Sequence, residues 1–216
     1  RLISQAPGER NYHIFYELLA GVTSQEERQA LRIHDVSGPE DFRMTACSET
    51  YDRRDGVEDQ DTYQDLRKAL QTVGGFSESE QKDLFSVACA LLHTSNISFN
   101  DTSSISVGED GSELIQSHSL DSALDLLGVS HEALSNALCL CKIEARGEVF
   151  HKKLSVAQAT KALEALIKAT YGALFTHIVR TINKSIAMKL ESLNISRIND
   201  FPRIGVLIFS GLNRLR

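Results

Sequence analysis

A single apolar stripe constrains this chain more than any other feature. Between Ser155 and Leu190, the residues Leu163, Leu166, Ile167, Leu174, Ile178, Ile182 and Ile186 recur on one helical face. Ser155 and Gln158 stand at capping-box spacing immediately before it. A helix of about 30 residues is ~45 Å long, enough to be the spine of a domain. Such a helix cannot bury its stripe alone, so shorter helices must pack against it. The chain can supply them, because 216 residues with 42% hydrophobic content suffice for a packed core. No apolar run reaches the roughly 18–20 residues of a membrane span.

Shorter helices are indeed signalled upstream. Residues 9–20 carry Tyr12, Phe15, Tyr16 and Leu19 at helical spacing, and Gly21 suits the residue after a helix end. Ser24 precedes a second helix with Glu26 and Glu27 in its first turn. Residues 35–58 mix Gly, Pro and charge without period and read as loop. A helix over 59–73 places Tyr63, Leu66, Leu70 and Val73 on one face, and Gly74 and Gly75 end it. Ser77 and Glu80 form a capping box for the next helix, 78–93. Residues 96–99 suggest a short strand, and 100–113 a polar, turn-rich hairpin or loop. Ser119 or Asp121 caps a helix stopped by Gly128, and Ser130 caps another over 131–140. Near the C-terminus the run Ile204–Phe209 reads as a buried strand.

Charge is unevenly spread. Residues 1–138 hold 10 Lys and Arg against 24 Asp and Glu, whereas 139–216 hold 13 against 5. The imbalance predicts internal electrostatic pairing or a basic face that meets an acidic partner. Its densest basic piece is 142–153, KIEARGEVFHKK, where Lys142, Arg146, Lys152 and Lys153 surround Ile143, Val149 and Phe150. The alternation suits a hairpin-like loop with an exposed basic edge: either a solvated connector or a docking loop for an acidic partner.

Residue chemistry alone yields no catalyst. There is no Gly-x-x-x-x-Gly-Lys-Ser/Thr phosphate loop, no Gly-x-Gly-x-x-Gly and no Gly-x-Ser-x-Gly. The seven His are scattered, and none pairs at the i, i+4 spacing of a helical metal site. The acidic group Asp55, Glu58, Asp59 and Asp61 lacks the ligand ladder of a calcium loop and reads as a solvated helix start. Cys47, Cys89, Cys139 and Cys141 form no zinc-finger spacing and read as reduced thiols, with Cys89 buried in a helix.

Longer strings carry a resemblance. GERNYHIFYELLAG over residues 8–21, LLHTSNISF over 91–99, ALDLLGVSHEALSNAL over 123–138 and IKATYGALFTHIVRTINKS over 167–185 occur in that order. Together with RGE at 146–148 and LSVAQA at 154–159, they resemble the myosin motor head across residues 1–187, and more weakly 203–209. The resemblance implies a mainly α fold: the helical subdomain of an α/β P-loop-type motor, on the upper side of its actin-binding cleft. One or two short strands and a truncated C-terminal strand would accompany the helices. Residues 1–216 would form a partial motor domain, with 188–216 a divergent tail in place of switch II. There the family reads GVLDIFGFE, whereas this chain has Gly205, Phe209 and Gly211 in the run GVLIFSGLN, without the Asp or the Glu. His177 stands where an aromatic Trp is common in the family. The resemblance also marks Lys142, Arg146, Gly147, Glu148, Lys152 and Lys153 as actin-binding, in the loop that meets the filament.

The implied partners are therefore the actin filament and the remainder of the motor, with no nucleic acid and no membrane span. ATP and Mg²⁺ would serve the complete motor, with none expected on this chain alone, which starts without Met and reads as a segment of a longer polypeptide. The implied place is cytoplasmic, associated with the cytoskeleton. A different class of function is a non-catalytic helical module that binds actin, or a partial gene product without activity.

Overall fold

The computed structural model describes residues 2–53, 55–102, 111–145 and 148–192. Helices dominate it. In chain order they are α1 (His13–Gly21), α2 (Gln25–Ala30), a 3-10 turn (Pro39–Asp41), α3 (Arg43–Ala46) and α4 (Asp59–Ala69). A π-turn (Leu70–Gly74) extends α4 and precedes α5 (Glu78–Ser95). The strands β1 (Phe99–Asp101) and β2 (Ser112–Leu114) follow, then α6 (His118–Leu127) and α7 (His131–Cys139). The hairpin β3 (Leu140–Ala145) and β4 (Glu148–Lys153) leads into α8 (Val156–Ser192).

Helix α5 is the centre of the core. Its start is fixed by the predicted box: the Glu80 amide donates to Ser77 Oγ at 3.3 Å, and the Ser77 amide donates to Glu80 Oε2 at 2.8 Å. From Leu84 to Leu92 nearly every side chain is buried, because α1, α3, α6 and α8 pack around it. A helix apolar on most of its circumference is stable only when surrounded. Helix α4 packs on α1, and α7 packs on α8.

Several boundaries depart from the sequence reading, each for a local reason. Helix α1 begins at His13 rather than at residue 9, because the preceding segment is spent on other bonds. The buried Asn11 side chain donates to Leu2 O at 2.9 Å and to Met44 O at 2.7 Å, and its Oδ1 accepts the Tyr12 amide at 2.8 Å. Gly21 is the last helical residue and not a left-handed terminator. A Cβ there would overlap the buried Tyr63 ring, so close packing of α1 on α4 requires the glycine. The cap of α6 is Ser117, whose Oγ accepts the Leu120 amide at 3.1 Å, and not Ser119 or Asp121.

The stretch 35–58 is not wholly loop, since the 3-10 turn and α3 bury Phe42, Met44 and Thr45 against the core. Elements of three or four residues leave no period to read. The first strand starts at Phe99 rather than at residue 96, because Asn96 is engaged with the α3 region. Its Oδ1 accepts the Arg43 amide at 2.8 Å and its Nδ2 donates to Asp41 O at 2.7 Å.

Helix α8 is the expected spine. Its 37 residues give a length of about 55 Å. Gln158 and Ser155 close the predicted cap, with the Ser155 amide donating to Gln158 Oε1 at 3.0 Å. Leu163 and Ile167 are buried, Leu166, Leu174, Ile178 and Ile182 are partly buried against the core, and Ile186 is exposed. The described strands form two antiparallel pairs, β1–β2 and β3–β4. The expected strand 204–209 and the tail 188–216 beyond Ser192 lie outside the described residues.

Candidate interaction hairpin

The β3–β4 hairpin stands between two helices that pack on each other. It starts directly from the end of α7 and returns two residues before α8. Its base is closed by the Leu154 amide donating to Cys139 O at 2.8 Å. Ser112 in β2 adds a second tie, its Oγ donating to Leu154 O at 2.8 Å. The hairpin is thus fixed at its root.

Strand alternation sorts its residues onto two faces. The register pairs Cys141 with Lys152, Lys142 with His151, Ile143 with Phe150 and Glu144 with Val149. Cys141, Ile143, Phe150 and Lys152 therefore share one face. Lys142 and Glu144 share the other with His151 and Lys153. Ile143 and Phe150 sit opposite each other and remain 42% and 51% exposed, an apolar pair held in solvent. Lys142, Lys152 and Lys153 are exposed as well, and no ion pair among the described residues engages them. The structure thus brings together three of the six residues singled out from sequence and separates them by face. Arg146 and Gly147 lie outside the described residues. Glu148 is placed through its backbone pairing with Ala145. The degenerate switch residues Gly205, Phe209 and Gly211 also lie outside the described residues.

A second constellation went unread in the sequence. The guanidinium of buried Arg10 pairs with Asp59 and lies 3.9 Å above the Tyr16 ring. Arg53 approaches Glu17 at 3.6 Å and Asp59 at 3.8 Å, and it grips Asp55 through two nitrogens at 2.9 and 2.5 Å. This grip holds the Asp55 carboxyl well below the usual carboxylate range. Within the acidic group at the start of α4, Asp59 therefore anchors the GERN segment through Arg10 and Asp55 holds Arg53, while Glu58 and Asp61 are exposed, as a solvated helix start requires. The anchor's only sequence signal was the cluster of acids itself, because the partners Arg10 and Arg53 are far from it along the chain or embedded in aperiodic loop.

His93, from the LLHTSNISF string, is the other buried polar group with a defined task. Its Nε2 donates to Arg32 O at 2.8 Å, which secures the left-handed turn at Arg32 (φ 58°). Its ring meets Phe42 edge-on at 5.2 Å. Burial lowers its pKa to about 4, so the ring is neutral at physiological pH. His177 makes a similar edge contact with Phe76, at 6.2 Å, from the exposed side of α8. Cys89 is buried as expected and burial pushes its thiol up, whereas Cys47 and Cys141 are exposed; all four cysteines are free.

The sequence offers no phosphate loop, and among the described residues no three His, Cys, Asp or Glu converge as metal ligands. No helix of the described residues is long and apolar enough to cross a membrane.

Comparison with known proteins accounts for the strings. The family described as Myosin head (motor domain) matches residues 1–215. Unconventional myosin-VIIb of Mus musculus is 35% identical over 186 residues, covering 86% of this chain and 8% of the relative. Unconventional myosin IC of Drosophila melanogaster is 33% identical over 190 residues, and myosin IB heavy chain of Dictyostelium discoideum 30% identical over 195, each with 17% of the relative covered. The chain thus spans between 8% and 17% of the length of these relatives. It belongs to the myosin head family.

Proposed function

We propose that this chain is part of an actin-based motor, on the upper side of the actin-binding cleft, and that the β3–β4 hairpin is its filament-contacting element. One observation carries the reading. A hairpin rooted between two packed helices holds Lys142, Lys152 and Lys153 in solvent, unpaired among the described residues, beside an exposed Ile143–Phe150 pair. A connector gains nothing from keeping an apolar pair and three cations in water, whereas a docking element uses both. The acidic filament supplies the complementary charge. The four cations named from sequence, Arg146 included, act mainly on association rate and salt dependence, each contributing about 0.2–1 kcal/mol.

ATP hydrolysis belongs to the complete motor. In this reading the chain's own part is mechanical: it presents the hairpin and carries its load into α7 and α8. Cytoplasmic, filament-associated placement follows from that role.

Co-sedimentation of the chain with filamentous actin at low and high salt tests the proposal. Saturable binding that weakens as salt rises is expected, because exposed cations are screened within about 10 Å at 0.1 M salt. Sedimentation no greater than that of the chain without filaments overturns it.

A further inference from the structure

The inward-facing residues of β2 are Ser112 and Leu114, while Glu113 between them is exposed. The core side of a strand is normally apolar, so a serine buried there needs a hydrogen-bond partner for its hydroxyl. Ser112 finds one outside its own sheet. Its Oγ donates at 2.8 Å to the carbonyl of Leu154, in the two-residue link between β4 and α8.

The amide of Leu154 is engaged as well, donating to Cys139 O at 2.8 Å where α7 meets β3. The two bonds act differently. The Leu154–Cys139 bond ties the two roots of the hairpin to each other. A hairpin held by that bond alone can still swing as a unit about the line between its roots. Ser112 belongs to neither strand of the hairpin and to neither flanking helix. It sits in the β1–β2 pair, which packs on α7 and α8. Hydrogen bonds weaken steeply when bent or stretched, so this third tie favours one angle of the hairpin over others.

Gly111 makes the close approach possible. A Cβ there would overlap Thr102 Oγ1 and lie 3.3 Å from Lys153 Cδ. Thr102 is held in place by its amide, which donates to Gly111 O at 3.0 Å. The stem of Lys153, one of the exposed cations of the hairpin, therefore passes over a residue that has no side chain to push it away.

We propose that Ser112 and Gly111, two residues outside the hairpin, are positioning residues that set the angle at which it meets a filament. The proposal rests on reading the hairpin as the filament-contacting element. Ser112 acts through Leu154, and Gly111 acts through the stem of Lys153. Docking is tighter when the docking element is already ordered, because ordering it on binding costs affinity. A hairpin released from Ser112 keeps its cations and its Ile143–Phe150 pair, but it must recover its angle at every encounter.

Two readings on the full chain test this. A nitroxide on Cys141, with the other exposed thiol removed by Cys47→Ser, reports motion of the hairpin without any partner. Co-sedimentation with filamentous actin reports its docking. Ser112→Ala should add a mobile component to the label's spectrum and weaken filament binding about fivefold, the factor that one buried hydrogen bond supplies. The slope of binding against salt should stay as in wild type, because no charge is removed. Ser112→Thr, which keeps the hydroxyl, should restore both readings, and Gly111→Val should change both as Ser112→Ala does. Helix content by circular dichroism should be the same throughout. Its loss in Ser112→Ala overturns the proposal, since the residue then supports the fold and not the angle. The proposal is also overturned if the label's spectrum is unchanged, or if wild type binds filaments and Ser112→Ala binds them equally well. Wild type that does not bind filaments overturns the reading of the hairpin instead, and the label alone then decides whether Ser112 sets its angle.

Discussion

The residues that define the family strings do structural work that can be tested one side chain at a time. Gly21 is the sharpest case, because α1 and α4 approach until no Cβ fits beside Tyr63. Gly21→Ala, favourable for helix propensity, should instead destabilise the chain by about 1–3 kcal/mol through overpacking, read as a lowered urea midpoint. His93 gives a pH signature. Unfolded, its imidazole titrates near its ordinary value of 6.5, while folded it resists protonation down to about 4. The unfolded state therefore binds the extra proton between these values. The His93 contribution is intact above pH 6.5, is lost as pH falls towards 4, and falls no further below that. The loss amounts to roughly 3 kcal/mol at most. Urea unfolding of wild type and His93→Gln across pH 4–7.5 isolates it: the wild-type curve should fall more steeply on acidification, and parallel curves would refute the assignment.

At the scale of elements, legibility followed the length of the signal. Helices of nine residues or more with side-chain caps, such as α5 behind Ser77 and α7 behind Ser130, were readable because cap and stripe agree. The 3-10 turn and α3 were not, since neither is long enough to repeat a pattern. The start of α1 was set too early because Asn11 spends its side chain on Leu2, Met44 and Tyr12, and the α6 cap too late because Ser117 takes the Leu120 amide. The hairpin was legible as a basic alternating run, but its division into an Ile143–Phe150–Lys152 face and a Lys142–His151–Lys153 face needed the register. The Arg10–Asp59 anchor joins residues 49 apart, a separation that periodicity cannot reach. Gly172 supplies the element-level prediction. With nothing among the described residues within 4 Å of its Cβ position, Gly172→Ala should raise stability by about 1 kcal/mol and the melting temperature by about 2–4 °C. A lowered melting temperature would mean that α8 is already closely packed there.

As a whole, the molecule is a helical body built around α5, with α8 as a spine. Its N-terminal end roots the hairpin, and its distal half holds Phe175, Val179 and Ile186 exposed among the described residues. The division matches the charge split along the chain: exposed basic groups gather from residue 139 onward, while most acids lie upstream and several are bound in ion pairs with Arg10, Arg32, Arg53 and Arg67. We propose that filaments engage this chain at the hairpin. The most direct measurement compares actin co-sedimentation of wild type, Lys152→Glu/Lys153→Glu and a charge-matched control, Lys161→Glu/Lys184→Glu on α8. The hairpin variant should bind several-fold more weakly and with a flatter salt dependence, while the control binds as wild type. Equal loss in both variants, or loss in the control alone, would contradict the account.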